Sequence, residues 1–224
     1  MSLICLKMPD RTSGVQLRPV NVERPLLDQL TDEQLVRMCR TGRAEAFELL
    51  VGRFRHDLLH FLARYVGDRS LAEDLFQETF LQVHLSTGSF DPSRRFRPWV
   101  FTIAANKARD YLRRTSRRQI TGLSGQADDQ QKGRSFIDLL EADLPLPDES
   151  AENEETRRLV REAIEALPDH LREVLLLAYF HRFPYKEIAE MLGIPLGTVK
   201  SRLHAAVGTF ADFWVARHGV SNRQ

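Results

Sequence analysis

Residues 184–204 read Pro184-Tyr-Lys-Glu-Ile-Ala-Glu-Met-Leu-Gly-Ile-Pro-Leu-Gly-Thr-Val-Lys-Ser-Arg-Leu-His204. Apolar residues recur at helical spacing on both sides of Gly193, which suits the left-handed conformation that ends a helix. The apolar positions are Ile188, Ala189 and Leu192 before the turn and Val199, Leu203 and Ala206 after it. Ile194 can fill the angle between the two segments, and Gly197 or Thr198 can cap the second. The pattern predicts a helix-turn-helix.

The polar side of the second helix carries hydroxyl and basic groups, which can donate hydrogen bonds to base edges and phosphates in a major groove. We expect Ser201 and Arg202 to face DNA, with Lys200 on the flank. Helix N-termini favour anions, so the start of the supporting helix is a second source of phosphate contacts. The candidates are Tyr185, Lys186, Thr198, Lys200, Ser201 and Arg202. The alternative is a helical hairpin whose charged face meets only water.

Charge is unevenly distributed along the 224 residues, although the formal net charge is only +1. Residues 94–118 contain nine Lys or Arg and one Asp, a local net charge of +8. Residues 124–156 contain ten Asp or Glu against two basic residues, a local net charge of −8. The chain therefore combines a basic surface, suited to nucleic acid, with an acidic linker.

Two cysteines, Cys5 and Cys39, provide neither a disulfide framework nor a set of zinc ligands. No secretory signal and no apolar run of membrane-spanning length is apparent. We therefore expect a cytoplasmic protein without membrane insertion. Cys39 lies in a helical pattern, where a small buried residue is favoured over a redox sensor.

Enzymatic chemistry finds little support in the sequence. His56 and His60 are four residues apart on a helix, a spacing that metal ligands can use, but no third ligand accompanies them. No phosphate-binding glycine loop or nucleophile elbow is present. We expect no catalytic residues, no metal and no cofactor.

The first domain is predicted over residues 31–118. Capping-box patterns, Thr31 with Gln34 and Ser70 with Glu73, open two helices, and Gly67 ends a long amphipathic helix between them. In the helix after Ser70, one face is formed by Leu71, Leu75, Thr79 and Val83. The residues that lie elsewhere on that helix, and leave a mixed surface for a partner, are Asp74, Gln77, Glu78 and Leu81.

An irregular stretch, residues 85–97, precedes a last helix that begins at Pro98 and Trp99. The positions expected to face the core are Val100, Ile103, Ala104, Ala108 and Tyr111. The other side of the helix is basic, and cations beside aromatic residues suit single-stranded DNA. A solvated basic helix is the alternative. Trp99 could pack in the core, which is favoured, or stack on a base.

The remaining boundaries divide the chain into three further parts and a second domain. Residues 1–30 are expected to be a mobile tail and residues 119–155 an acidic linker, which contains Leu144-Pro-Leu-Pro-Asp148 and cannot be a continuous helix. The second domain covers residues 156–212 and includes the helix-turn-helix. Residues 213–224 are expected to be a C-terminal tail, and the aromatic residues Phe210, Phe213 and Trp214 lie at its start. The predicted fold is all-α, with two small helical domains joined by a flexible acidic linker.

Three motifs of the first domain resemble region two of the extracytoplasmic-function (ECF) sigma factors of bacterial RNA polymerase. They are Ala72-Glu-Asp-Leu-Phe-Gln-Glu-Thr-Phe80, Phe96-Arg-Pro-Trp-Val-Phe-Thr-Ile-Ala-Ala-Asn106 and Ala108-Arg-Asp-Tyr-Leu-Arg113. Residues 187–204 resemble region four of the same group. Ala205 and Val207 depart from the family pattern, in which arginines are common, and would weaken duplex binding.

The resemblance implies a subunit that directs core RNA polymerase to promoters and separates the two strands of the promoter DNA. The residues that would contact the clamp helices of the largest polymerase subunit are Asp74, Gln77, Glu78 and Leu81. Minus-ten contacts would be Arg94, Arg95, Arg97, Trp99, Asn106, Lys107 and Arg113. The helix-turn-helix would read the minus-thirty-five element and meet the flap of the second-largest subunit, and the linker would thread the polymerase cleft. An anti-sigma factor is a possible partner.

A stand-alone helix-turn-helix regulator with an extra helical domain is the competing interpretation. Such a protein would bind duplex DNA tightly without polymerase. A sigma factor would show little specific affinity for duplex alone, yet would direct transcription when added to the core enzyme.

Overall fold

The computed structural model describes residues 27–120 and 151–221, and it describes side chains for residues 27–117 and 156–217. All regular elements in these ranges are helical. The first bundle contains α1 (Asp32–Arg40), α2 (Ala44–Val66), α3 (Arg69–Ser86), a 3-10 turn (Thr87–Ser89) and α4 (Phe96–Ile120). The second contains α5 (Ala151–Glu165), α6 (Asp169–Leu175) with a π-helical turn (Leu176–Phe180), α7 (Tyr185–Leu192) and α8 (Leu196–Ser221). The all-α, two-domain prediction is confirmed.

Local sequence signals set several helix ends. The capping box at α1 is present: Gln34 N donates to Thr31 Oγ1 at 3.3 Å, and Thr31 N donates to Gln34 Oε1 at 2.8 Å. Gly67 ends α2 in the left-handed conformation with φ 75°. Gly193 ends α7 with φ 64°, so the predicted turn of the helix-turn-helix is confirmed.

Two predicted helix starts are wrong. Asp68, not Ser70, caps α3, because Asp68 Oδ1 accepts the Leu71 N–H at 2.8 Å. The recognition helix α8 begins at Leu196, before the expected caps at Gly197 or Thr198. The Pro195 carbonyl accepts the N–H groups of Thr198 and Val199 at 2.9 Å and 3.1 Å, so the helix begins before either expected cap.

Helix α4 begins at Phe96, two residues before Pro98. The Phe96 N–H donates to the Glu33 carboxylate at 2.9 Å, a cap supplied by α1. Burial acts to raise the Glu33 pKa, but this bond, the Thr31 hydroxyl and the charge of Arg95 lower it below its ordinary value. The carboxylate therefore stays charged and orients the start of the basic helix.

The buried face of α4 differs from the predicted one. Tyr111, expected in the core, is 38% exposed, whereas Phe101, which was not expected there, is fully buried. Phe101 contacts the second bundle, where its ring centroid lies 5.1 Å from that of Phe183 and 4.9 Å from that of His181. The two bundles thus share one continuous cluster of buried side chains.

The predicted mobile tail falls mostly on residues 1–26, outside the described residues, and Leu27 is buried. Residues 121–150, most of the predicted linker, also lie outside them. No helix of the described chain is long and apolar enough to cross a membrane.

Candidate nucleic-acid interface

The helix-turn-helix presents one polar face of α8. Val199, Leu203 and Ala206 are buried as predicted, against a core that includes Ile188. Lys200 and Ser201 are exposed on the opposite side, and Thr198 is half-buried. On α7, Tyr185 is 41% exposed and Lys186 is exposed.

Arg202 differs from its predicted orientation. It is half-buried on the flank of the apolar stripe, where its charge acts on Glu173 of α6. Lys200, which was expected on the flank, lies on the exposed side. The spacing explains this, because residue 202 follows Val199 by three positions and precedes Ala206 by four, so it shares their side of the helix. To contact the edge of a DNA groove, the Arg202 side chain would have to extend from the side of α8, not from its exposed polar face.

His204 is an exposed residue on the polar face that the sequence prediction missed. It follows Lys200 by four positions and Ser201 by three, so these three side chains are neighbours. Helical spacing from Lys200 alone could have found it. The imidazole can donate to a base edge or a phosphate.

The predicted minus-ten residues fall into two groups along α4 and the preceding loop. Arg94 and Arg95 are exposed, and Arg94 lies 3.8 Å from Asp91. Hydrogen bonds from the Ser93 N–H and from the Ser93 hydroxyl hold the Asp91 pKa below its ordinary value. This Asx turn orders the loop that carries the arginines.

Arg97 and Trp99 are half-buried at the start of α4. The indole of Trp99 packs against Phe90 and Phe96, with ring centroids 4.9 Å and 5.7 Å away. Its other side lines a cavity of about 500 Å3 between the bundles, together with Arg95. Trp99 therefore packs on core aromatics and also faces open space.

The second group lies further along α4. Asn106 is exposed, and Arg113 is exposed and pairs with Asp110 at 2.9 Å. Lys107 Nζ lies 3.5 Å from Glu78 Oε2 on α3. This contact links a candidate for DNA binding with a candidate for polymerase binding, so the two surfaces meet along the α3 and α4 edge.

Helix α3 exposes the four residues expected to meet polymerase. Asp74, Gln77 and Glu78 are exposed, and Leu81 is 60% exposed. Leu85, one turn beyond Leu81, is 70% exposed and extends the apolar part of this surface. We call these five residues the α3 surface. A charged edge around exposed leucines is typical of a protein-binding site.

Cys39 and the pair of His56 and His60 were the remaining candidates for a reactive thiol and for metal binding. Cys39 is half-buried, and burial raises the pKa of its thiol to about 11, which disfavours the reactive thiolate. The rings of His56 and His60 lie 4.0 Å apart, but no group of three potential metal ligands occurs among the described residues.

Several basic side chains of the first bundle contact the second. Arg95 Nη1 lies 2.9 Å from Glu187 Oε1, and Arg97 Nη1 donates to the His181 carbonyl at 3.0 Å. The Arg97 guanidinium also lies 4.4 Å from the centre of the Phe183 ring. The sequence gives no signal for these contacts, because they join residues more than eighty positions apart.

Comparison with known proteins supports two functional regions at these places. The Sigma-70 region 2 family model matches residues 50–118, and the Sigma-70 region 4 model matches residues 157–209. These matches, on an all-helical chain with a helix-turn-helix, define a sigma factor.

Similar curated proteins indicate which group of sigma factors this chain belongs to. The RNA polymerase sigma-H factor of Pseudomonas aeruginosa is 32% identical over 183 residues, covering 81% of this chain and 92% of its own. The ECF RNA polymerase sigma-E factor of Haemophilus influenzae is also 32% identical, covering 81% and 94% respectively. The chain belongs to the ECF family of RNA polymerase sigma factors. This favours the sigma-factor interpretation over a stand-alone regulator.

Solved structures agree on the fold. A complex of CnrH with the cytosolic domain of CnrY matches with a TM-score of 0.59 at 24% identity, over 83% of this chain and 97% of the other. The sigma factor RpoE of Bartonella quintana, solved with the anti-sigma factor NepR, matches with a TM-score of 0.58 at 22% identity, over 76% and 98%.

Proposed function

We propose that this sigma factor binds core RNA polymerase through the α3 surface, reads the minus-thirty-five element with α8 and opens the minus-ten element with α4. The single observation that supports this best is the order of two matched regions, each with an exposed surface of the right chemistry. Such a protein works beside the chromosome, so we place it in the cytoplasm. It needs no catalytic residue of its own.

The α3 surface is the proposed contact with the clamp helices of the largest polymerase subunit. Its exposed leucines would be buried on binding, and each would contribute roughly 1.5 to 3 kcal/mol if fully desolvated. Asp74 and Glu78 would then pair with basic groups of the partner. The flap of the second-largest subunit is the proposed partner of the second domain.

The proposed minus-ten surface is the start of α4 with its preceding loop. Arg94, Arg95 and Arg97 supply charge for phosphates, and the half-buried indole of Trp99 offers an aromatic face for an unstacked base. Asn106, Lys107 and Arg113 extend the charge toward the upstream duplex. On α8 we add His204 to Tyr185, Lys186, Thr198, Lys200 and Ser201 as minus-thirty-five contacts, with Arg202 at the side.

An anti-sigma factor is a further proposed partner. Two structures of similar fold were solved as complexes with CnrY and with the anti-sigma factor NepR. The proposed domain boundaries remain 31–118 and 156–212, with the acidic linker between them passing through the polymerase.

Association with core polymerase tests the central proposal. We expect the purified chain to join the core enzyme and to direct run-off transcription from its own promoters. Leu81→Asp should weaken association by about tenfold or more, since a charge would be buried without a partner. Glu45→Arg, on the exposed start of α2, is a control for altered surface charge. Normal association of the Leu81 variant would contradict the proposed surface.

A further inference from the structure

We propose that Arg182, in the loop before α7, forms a phosphate-binding site together with the start of that helix, and that this site holds the DNA backbone beside the minus-thirty-five element. The inference rests on the role proposed above for the second domain. It adds a residue outside both helices of the helix-turn-helix as a determinant of promoter affinity, and the contact is independent of base sequence.

The backbone conformation of Arg182 is unusual for its residue type. Among the described residues, Arg182 is the one other than glycine that has a positive φ, at 53°. It follows the π-helical turn, at the position after a helix where glycine is usual, because the Cβ of any other residue crowds the backbone in the left-handed region. Strain of this kind is typical of functional sites, where the side chain has a role that offsets it.

Contacts on both sides hold Arg182 in this conformation. The His181 N–H donates to the Leu176 carbonyl at 3.1 Å, and the Phe183 N–H donates to the Leu177 carbonyl at 3.0 Å. His181 and Phe183 are both buried, whereas Arg182 is exposed. The chain is therefore fixed before and after Arg182, and only its side chain reaches solvent.

The Arg182 guanidinium has no partner within the described ranges 27–117 and 156–217, where it forms no hydrogen bond, ion pair or ring contact. Arg172, ten residues earlier, shows the contrast, because its side chain donates to the carbonyls of Ile164, Tyr65, Glu165 and Leu167. Arg182 thus stabilises nothing in the fold by pairing. Its N–H donors remain available to an anion, for which a guanidinium is well shaped.

The start of α7 adds donors for the same anion. Pro184 is the N-cap residue and offers no side-chain acceptor to the first N–H groups of the helix. Lys186, in the first turn, is exposed. Helix N-termini bind phosphate through such N–H groups, and the first helix of a helix-turn-helix crosses the DNA backbone. A DNA phosphate is therefore the anion that Arg182 and Lys186 would meet.

The recognition helix leaves a need for such a contact. Ala205 and Val207, which follow His204 on α8, are exposed and have no side-chain donor. Contacts to phosphates fix the position of a recognition helix in its groove, although they carry no sequence information. A cation in the loop before α7 would supply a backbone contact that these two positions of α8 cannot make.

Opposite effects on stability and on DNA binding distinguish this role from a structural one. Arg182→Gly removes the charge and suits the left-handed backbone, whereas Arg182→Lys keeps the charge. Arg40→Gln, at the exposed end of α1, is a matched control for the loss of an arginine. Each full-length variant is combined with core polymerase. The probe is a fluorescent duplex with a minus-thirty-five element that the parent holoenzyme has selected from a randomised library.

We expect Arg182→Gly to raise the melting temperature of the chain by about 2 °C, because the backbone strain is relieved. The same variant should bind the duplex about eightfold more weakly at roughly 0.1 M salt, as the loss of one phosphate contact requires. The slope of log affinity against log salt should fall by about 1. Arg182→Lys should keep the parent slope, and Arg40→Gln should change affinity by less than about twofold.

Unchanged duplex affinity of Arg182→Gly across the salt series would overturn the phosphate site and leave the proposed function intact. Weaker binding together with a lower melting temperature would also overturn it, since Arg182 would then act through the fold. If the parent holoenzyme selects no duplex from the library, the proposed function itself fails, and this inference fails with it.

Discussion

Arg109 on α4 donates from Nη2 to Glu173 Oε1 on α6 at 2.8 Å, and the Glu173 side chain is only 3% exposed. Burial raises the Glu173 pKa above its ordinary value, although the hydrogen bond and charge of Arg109 oppose that shift. The two side chains differ in solvent access: Arg109 is 42% exposed and can be hydrated, whereas the buried Glu173 carboxylate cannot.

Removal of the arginine should therefore cost more than neutralisation of the acid. We expect Arg109→Met to lower the free energy of unfolding by about 2 to 3 kcal/mol, since it leaves a buried carboxylate without its partner. Glu173→Gln keeps a hydrogen-bond acceptor and should cost less than about 1 kcal/mol. Urea unfolding of both variants measures the difference. Equal losses would contradict this asymmetry.

The Glu173 pair also predicts a pH dependence. A carboxyl group with a raised pKa binds more protons in the folded state than in the unfolded state, so its stabilising effect is lost as pH rises through the folded pKa. We expect Glu173→Gln to gain stability relative to the parent chain as pH rises above the ordinary glutamate value of 4.5. Urea unfolding at several pH values tests the sign.

His181 predicts the opposite behaviour in acid. Burial lowers its pKa to about 3; the charge of Asp57 opposes this shift, and electrostatic interactions with Arg97, Arg64 and His60 add to it. Its Nε2 is buried without a hydrogen-bond partner in the described part of the chain. As pH falls below 6.5, this histidine becomes protonated in the unfolded state but stays neutral in the folded state, so the folded state loses stability.

We expect the parent chain to lose up to about 1.4 kcal/mol per pH unit between pH 6 and pH 4 relative to His181→Phe. Phenylalanine keeps the ring that packs against Phe61 and Phe101. The measurement is the difference in unfolding free energy across this range. A difference that does not vary with pH would show that the imidazole is not buried as described.

Helix α3 offers a simple test of its cap. Asp68→Ala should destabilise the chain by about 1 kcal/mol, because the Leu71 N–H loses its acceptor. Ser70→Ala, two residues later and exposed, should have an effect below about 0.5 kcal/mol. Thermal unfolding compares the two. A larger loss of stability for Ser70→Ala than for Asp68→Ala would instead support the capping box expected from the sequence.

The recognition helix gives a prediction about orientation. Lys200→Ala should weaken promoter binding by the holoenzyme and lower its salt slope by about 1, as loss of one phosphate contact does. Arg202→Ala should cost more in stability than Lys200→Ala, because Arg202 is half-buried and lies near Glu173. Promoter affinity at several salt concentrations, together with unfolding curves, separates these effects.

Local signals in the sequence predicted much of the fold. Thr31 with Gln34, Gly67 and Gly193 each act within a few residues, so their patterns are sufficient to place helix ends. The exposed α3 surface could be predicted from helical spacing, which is also a local property of the sequence. The family motifs then gave the two regions and their order, which the family models confirm.

Contacts between the domains account for most of what the sequence could not predict. Phe101 is buried, and Arg97 is held at the carbonyl of His181, only because residues more than seventy positions away pack against them. No periodicity encodes such a pairing. Arg202 was misplaced for a smaller reason: it lies at the edge of the apolar stripe, where a helical pattern alone does not decide between the two sides.

Helix α8 runs without interruption from Leu196 to Ser221. Its 26 residues make a rod about 39 Å long at 1.5 Å per residue. Lys200 lies near one end, while Arg217, which pairs with Glu162 of α5 at 3.2 Å, lies near the other. One continuous helix therefore joins the surface proposed to read the promoter to the contact with α5 several turns away.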